Sequence, residues 1–170
     1  VEIRWSCPPA MIGKDDETPE KETLHFPGGL RDYLTATLGA RPTITPRPFA
    51  GAWKATDSVG QMEWAMHWPG DGDGFCHTYC NTVPTPQGGT HESAMRSALA
   101  KSIRAYGDLV GNKKSGQITG DDVASEACIM LSVFVPDPQF QGQPKEKLVS
   151  IDAGKMVEAA LKDRFAHWLT

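Results

Sequence analysis

The cleanest hydrophobic pattern in the chain runs from Gln61 to Trp68, where Met62, Trp64, Met66 and Trp68 alternate with Gln61, Glu63, Ala65 and His67. A period of two with the apolar residues on one side predicts a strand with one buried face. Pro69-Gly-Asp-Gly-Asp-Gly74 then predicts a turn that folds the chain back as a hairpin into a second strand, Phe75 to Thr82. Cys128 to Val135 has another character: it is almost continuously apolar, as in a central strand covered on both sides. Val1 to Ser6 and Thr23 to Phe26 read as two further strands, separated by a charged, loop-like stretch from Gly13 to Lys21.

Helical spacing appears in four places. After the Pro27-Gly28-Gly29 break, Leu30, Tyr33, Leu34 and Leu38 share one face. Met95, Leu99, Ile103, Tyr106 and Val110 form a stripe on a longer helix, with Thr90 as its expected N-cap and Glu92 against the positive end of the dipole. On a wheel, Arg96, Lys101 and Arg104 fall outside that stripe on a broad neighbouring face. Thr119-Gly-Asp-Asp122 is a capping box for a short helix. A last helix carries Val157, Leu161, Phe165 and Trp168 on one face, with Lys155, Lys162 and Arg164 elsewhere. Arg41 to Pro48, with three prolines, predicts an extended connector. Gly111-Asn-Lys-Lys-Ser-Gly116 lacks phosphate-loop spacing and reads as a solvated turn. Strands and helices in this order, with at least one long crossover, make the fold class α+β: a mixed sheet packed with helices.

Composition narrows the function classes. The chain has 170 residues, enough for one domain with a substantial core, and 39% of them are hydrophobic. No apolar run approaches the roughly 20 residues a membrane helix needs, so no membrane partner is expected. The net charge of -4 excludes nucleic-acid binding by bulk electrostatics, so any contact with DNA needs a local basic face. Cys76-His77-Thr-Tyr-Cys80 resembles half a zinc site. As a strand, however, it spreads its cysteines over about 13 Å and turns His77 to the opposite face. Reduced, buried thiols and a cytoplasmic location are the expectation, with no metal. Asp71-Gly-Asp73 lacks the further carboxylates of a calcium loop and reads as a plain turn.

Two loop-bearing stretches hold most of the remaining chemistry: Cys80-Asn-Thr-Val-Pro-Thr-Pro-Gln-Gly-Gly-Thr-His-Glu92 and Asp137-Pro-Gln-Phe-Gln-Gly-Gln-Pro-Lys-Glu-Lys-Leu148. Together with His25-Phe-Pro-Gly-Gly-Leu-Arg-Asp-Tyr-Leu34, in this order and spacing, they resemble the transducer domain found in the ATPase component of bacterial type II DNA topoisomerases. The wording around Phe26 and Gln139 is nearer the topoisomerase IV branch than the gyrase branch. The similarity spans essentially the whole chain.

That resemblance implies a single transducer domain over residues 1–170, a fragment with an ATP-binding domain expected upstream and a cleavage domain downstream. It implies a fold like domain 2 of ribosomal protein S5, with a left-handed strand-helix-strand crossover, against a general rule that favours the right-handed form in about 98% of cases. It implies ATP and Mg2+ as cofactors of the intact protein, and none in the fragment, which alone is expected to be inactive. The implied partners are the upstream ATP-binding domain, the A subunit of topoisomerase IV, double-stranded DNA and a second copy in an ATP-dependent dimer. In the family a Gln-Thr-Lys loop reaches the nucleotide, its lysine touching the γ-phosphate. The matching residues are Gln143, Pro144 and Lys145, with Pro144 removing a backbone donor and fixing φ. Arg96, Lys101 and Arg104 are the candidates for the wall of a DNA-sized cavity, with sequence-independent phosphate contacts. His91 reads as a structural helix-start residue. Two other readings stand beside this one. A free-standing metal protein using Cys76, His77, Cys80 or His91 would purify with stoichiometric zinc. An interaction domain of a MutL-like ATPase would lack a cleavage domain downstream.

Overall fold

The computed structural model describes residues 1–14, 16–56 and 60–170. Asp15, within the predicted charged stretch, lies outside the described residues. The architecture is built on β7 (Cys128–Phe134), the apolar run, which sits at the centre of a five-stranded sheet. β4 (Gln61–His67) pairs antiparallel with one side of it, Trp64 opposite Leu131. β5 (Phe75–Cys80) pairs parallel with the other, Thr78 opposite Leu131. β3 (Phe49–Lys54) forms one edge beside β4, and β6 (Val83–Pro84) the other beside β5.

This order overturns the predicted hairpin. β4 and β5 follow each other in the chain, but β7 inserts between them. The turn at 69–74 therefore spans a strand position and is held by Arg41, whose guanidinium donates to the carbonyls of Asp71 and Asp73 and lies 3.5 Å from the Asp71 carboxylate. The physical reason is burial. β7 is the strand with apolar residues on both faces, and a central place beneath the helices of both layers keeps both from water.

Helices cover both faces of the sheet. On one face Met62, Trp64, Met66, Ile129, Leu131 and Val133 meet Met95 and Leu99 of α2 (Thr90–Leu109) and Val157, Leu161 and Phe165 of α4 (Ile151–Leu169). Each such side chain contributes roughly 1.5–3 kcal/mol by leaving water. On the other face α1 (Leu30–Leu38) sets Leu34 and Leu38 against Ala65, Cys128 and Met130. β4 is thus buried on both sides, where alternation predicted one, because the small Ala65 gives α1 room to approach.

The parallel pair β5/β7 is joined by a crossover of α2, a 3-10 turn (Lys113–Gln117) and α3 (Gly120–Ala124). The Thr119–Asp122 capping box forms at α3 as predicted. Thr90 does not cap α2. Gly89 holds the N-cap position, and the Thr90 hydroxyl instead donates to the Ser150 carbonyl at 2.6 Å. The expected α2 stripe is buried only in its first half. Met95 and Leu99 are inaccessible, whereas Val110, at the far end, is exposed.

β1 (Glu2–Ser6) and β2 (Lys21–His25) form a separate antiparallel hairpin. Ile3 faces Leu24 across it, and these two and Trp5 are partly exposed on one side.

Candidate functional site

The two loop stretches singled out in the sequence lie side by side. After β7, β8 (Phe140–Gln141) and β9 (Lys147–Leu148) form a short hairpin whose tip is Gly142 to Glu146. Its base is fastened to the entry of α2. The Gln87 N–H donates to the Glu146 carbonyl at 3.0 Å, and the Gln87 side-chain amide donates to the Glu146 carboxylate at 2.5 Å. The Leu148 N–H donates to the Gly88 carbonyl at 3.0 Å, with Gly89 paired alongside Leu148. The same hairpin is tied to the start of α4: the Val149 N–H donates to the Gln139 carbonyl, and the Gln139 N–H to the Ser150 hydroxyl. One loop therefore holds the first turns of both long helices.

Asn81 joins the roots of the two stretches. Its side-chain amide donates to the Val135 carbonyl at 2.9 Å and accepts from the Val135 N–H at 3.0 Å. Sequence reasoning passed over it. The available signal was an Asn directly after a strand, a residue that tolerates left-handed backbone and pairs with main-chain groups. Among the described residues, the four non-glycine positions with positive φ are Asn81, Thr82, Asp137 and Lys145. All four fall in these two stretches, so the backbone strain of the described chain is concentrated here.

At the tip, Gln143, Pro144 and Lys145 are all exposed. The Lys145 Nζ sits 5.9 Å from the centroid of the Phe140 ring and belongs to none of the ion pairs of the described residues. Its neighbour Glu146 is turned away to Gln87. The tip thus presents a cation with its charge uncommitted, next to an amide that can donate.

Arg96, Lys101 and Arg104 line one groove of about 300 Å³ between α2 and α3. None is a bare cation. Arg96 donates to Glu92 at 2.7 and 2.9 Å and to Asp121 at 3.2 Å. Lys101 pairs with Glu158 of α4 at 2.5 Å, and Arg104 donates to the Ile118 carbonyl at 2.6 Å. The groove is a salt-bridged face whose three cations already have protein partners.

His91 is fully buried at the start of α2, its Nε2 3.1 Å from the Thr85 hydroxyl. Burial lowers its pKa to about 4, so it is neutral at physiological pH. Two thiols nearby are held in the neutral form at physiological pH: burial, and then the Glu92 carboxylate, push Cys76 up to about 12, and burial takes Cys80 to about 11. Among the described residues no group of three or more His, Cys, Asp or Glu side chains is placed to hold a metal ion.

Comparison with known proteins gives this geometry a family. The B subunit of DNA topoisomerase 4 from Caulobacter vibrioides is 48% identical over 174 residues, covering 100% of this chain and 25% of that protein. The Bartonella bacilliformis protein of the same name is 44% identical over 99% of the chain and 24% of its own length. The chain therefore spans about a quarter of the length of these curated relatives. Among solved structures, the topoisomerase IV ATP-binding domain of Francisella tularensis, in complex with a small-molecule inhibitor, superposes with a TM-score of 0.74 at 30% identity, over 99% of this chain and 43% of that one. The 43K ATPase domain of Thermus thermophilus gyrase B, in complex with an aminocoumarin, gives 0.74 at 28% identity, over 88% and 40%. A family model described as DNA gyrase B matches residues 29–170, from the first turn of α1 to the end of α4, and the chain belongs to that family.

Proposed function

We propose that this chain is the coupling module of an ATP-dependent type II DNA topoisomerase of bacteria, in the B subunit of topoisomerase IV. It senses the nucleotide held by an upstream domain and passes that state toward a DNA gate. The observation that carries the reading is the double attachment of one exposed loop to the first turns of α2 and α4, with an uncommitted lysine at its tip.

ATP with Mg2+ belongs to the upstream domain in this proposal, and supplies a terminal phosphate that is present before hydrolysis and leaves after it. Lys145 suits that group as a point cation, and Gln143 as a hydrogen-bond donor. Pro144 offers no N–H, so the tip lacks a backbone donor between the two side chains. When the phosphate leaves, the tip loses its anionic partner. The change reaches α2 through Gln87, Gly88 and Gly89, and α4 through Ser150. The hairpin β1/β2, with Ile3, Trp5 and Leu24 partly exposed, is the surface this proposal assigns to contact with the upstream domain. The A subunit of topoisomerase IV, double-stranded DNA and a second copy of the same protein are the partners of the intact, cytoplasmic enzyme. The Arg96, Lys101 and Arg104 face lines the DNA cavity between the two copies.

The test is steady-state ATP hydrolysis by the full-length parent protein together with its topoisomerase IV partner, with and without DNA. In Lys145→Ala, turnover falls by about 100- to 1,000-fold while nucleotide binding is largely kept, as when one preorganised donor at a reacting group is removed. Unchanged turnover would refute the role given to Lys145.

A further inference from the structure

β3 is an edge of the five-stranded sheet, and one side of its backbone is open. The Ala55 N–H donates to the Gly60 carbonyl at 2.8 Å just beyond the end of the β3/β4 ladder. Hydrogen-bonded pairs alternate along an antiparallel ladder, so Phe49, Gly51 and Trp53 turn their backbone groups to β4. Those of Ala50 and Ala52 point outward, and among the described residues no backbone hydrogen bond beyond the ladder reaches them. Edge strands are commonly blunted by charge, proline or a bulge. Pro48 and Lys54 do so at the two ends, but Ala50, Gly51 and Ala52 between them have neither charge nor bulk, and their register is unbroken.

A groove of about 550 Å³ follows this edge from Pro48 to Ala52. At about 3.3 Å per residue, that length suits an extended segment of about four or five residues. Basic side chains stand on both faces of the edge: Arg31 on α1, Arg164 and His167 on α4, with Arg47 just before the strand. Among the described residues no carboxylate lines the groove. Arg31 is countered by Asp32 at 3.5 Å. Arg47 and Arg164 are exposed and belong to none of the ion pairs of the described residues, although Arg164 donates one hydrogen bond to the Ala160 carbonyl.

We propose that this edge receives an extended acidic segment of a partner protein as an added strand. The main chain of the segment pairs with Ala50 and Ala52, and its carboxylates meet the basic residues on both faces. Strand pairing supplies affinity, and the arginines select acidic side chains. A second copy of this chain fits less well, because edge-to-edge pairing about a two-fold axis would bring the arginines of both copies together. None of Gln143 to Lys145 lines the groove, so the inference stands apart from the nucleotide-sensing reading.

The experiment is fluorescence anisotropy of a labelled peptide of Glu-Glu-Val-Val repeats, which carries carboxylates on both faces when extended, titrated with the full-length parent protein. The parent binds it, and does not bind the same peptide with lysine in place of glutamate. Arg47→Glu with Arg164→Glu weakens binding by about tenfold or more. Ala52→Pro, which removes an outward N–H and leaves the pairing with β4 intact, weakens it about tenfold. N-methylation of one alternate set of peptide amides abolishes binding and of the other set does not, the mark of a strand paired along one edge. That arm uses the unaltered parent protein and decides the matter even where the proline variant fails to fold. An equal response to both methylated peptides, or unchanged binding in the arginine pair, overturns the proposal, as does a parent that binds no peptide. A parent dimer that Ala52→Pro dissolves, with no peptide bound, overturns it in favour of a second copy at this edge.

Discussion

The backbone of Gly89 lies so close to that of Leu148 that a Cβ on the glycine would collide with the Leu148 carbonyl oxygen. Gly89 also has φ +139, a conformation side chains rarely adopt. It is at once the N-cap of α2 and the contact point of the sensing loop. Gly89→Ala is expected to cost about 1–3 kcal/mol through strain and separation of the two segments. Calorimetry of the chain should show Tm lower by roughly 3–10 °C. An unshifted Tm would mean that the loop is not held at this point.

Lys145 sits at φ +58, so its side chain is retained in spite of backbone strain. Strain and charge can be separated. Lys145→Gly relieves the left-handed conformation and is expected to leave stability within about 1 kcal/mol of the parent. ATP turnover of the full-length protein should nevertheless fall as far as in Lys145→Ala. Full turnover in the glycine variant would show that the ammonium group is dispensable.

Arg96 and Lys101 share a helix face but not an environment. Arg96 is largely covered and bridges Glu92 and Asp121, whereas Lys101 and Glu158 form an exposed pair. Arg96→Ala is expected to cost about 1–3 kcal/mol, because Glu92 is left without its partner. Lys101→Ala should cost under about 1 kcal/mol. Urea unfolding of both variants checks the difference, and equal midpoints would contradict it.

The buried His91 sets a pH limit. Its folded pKa, about 4, lies below the ordinary value of 6.5. Between those values the unfolded chain takes up a proton that the folded chain refuses, so stability is full above pH 6.5 and declines as pH falls toward 4. The contribution is on the order of 3 kcal/mol. Replacing His91 with Asn is expected to flatten stability over that window, whatever it does to stability at pH 7. A parent curve already flat from pH 6.5 to 4 would rule the mechanism out.

Much of the fold is legible from local pattern. The apolar run from Cys128 to Val135 reads as a central strand, observed over Cys128–Phe134, and Thr119 with Asp122 reads as a capping box; both depend on neighbours within a few residues. The Gln143–Lys145 stretch was recognisable as a loop through its glycine and proline punctuation. Its partners were not: Gln87 lies 59 residues from Glu146, and Thr90 lies 60 from Ser150.

Element type followed from the residues because backbone preference and hydrophobic period act over one or two turns of chain. Strand order did not. A turn between β4 and β5 looks the same whether the strands pair or a third strand separates them, and only the burial of β7 on both faces decided it. The same holds for the charged side chains. Arg96, Lys101 and Lys145 are all simply cations in the sequence, and it was the packing of α3 and α4 against α2 that paired the first two, while the third stands at an exposed hairpin tip with its charge free.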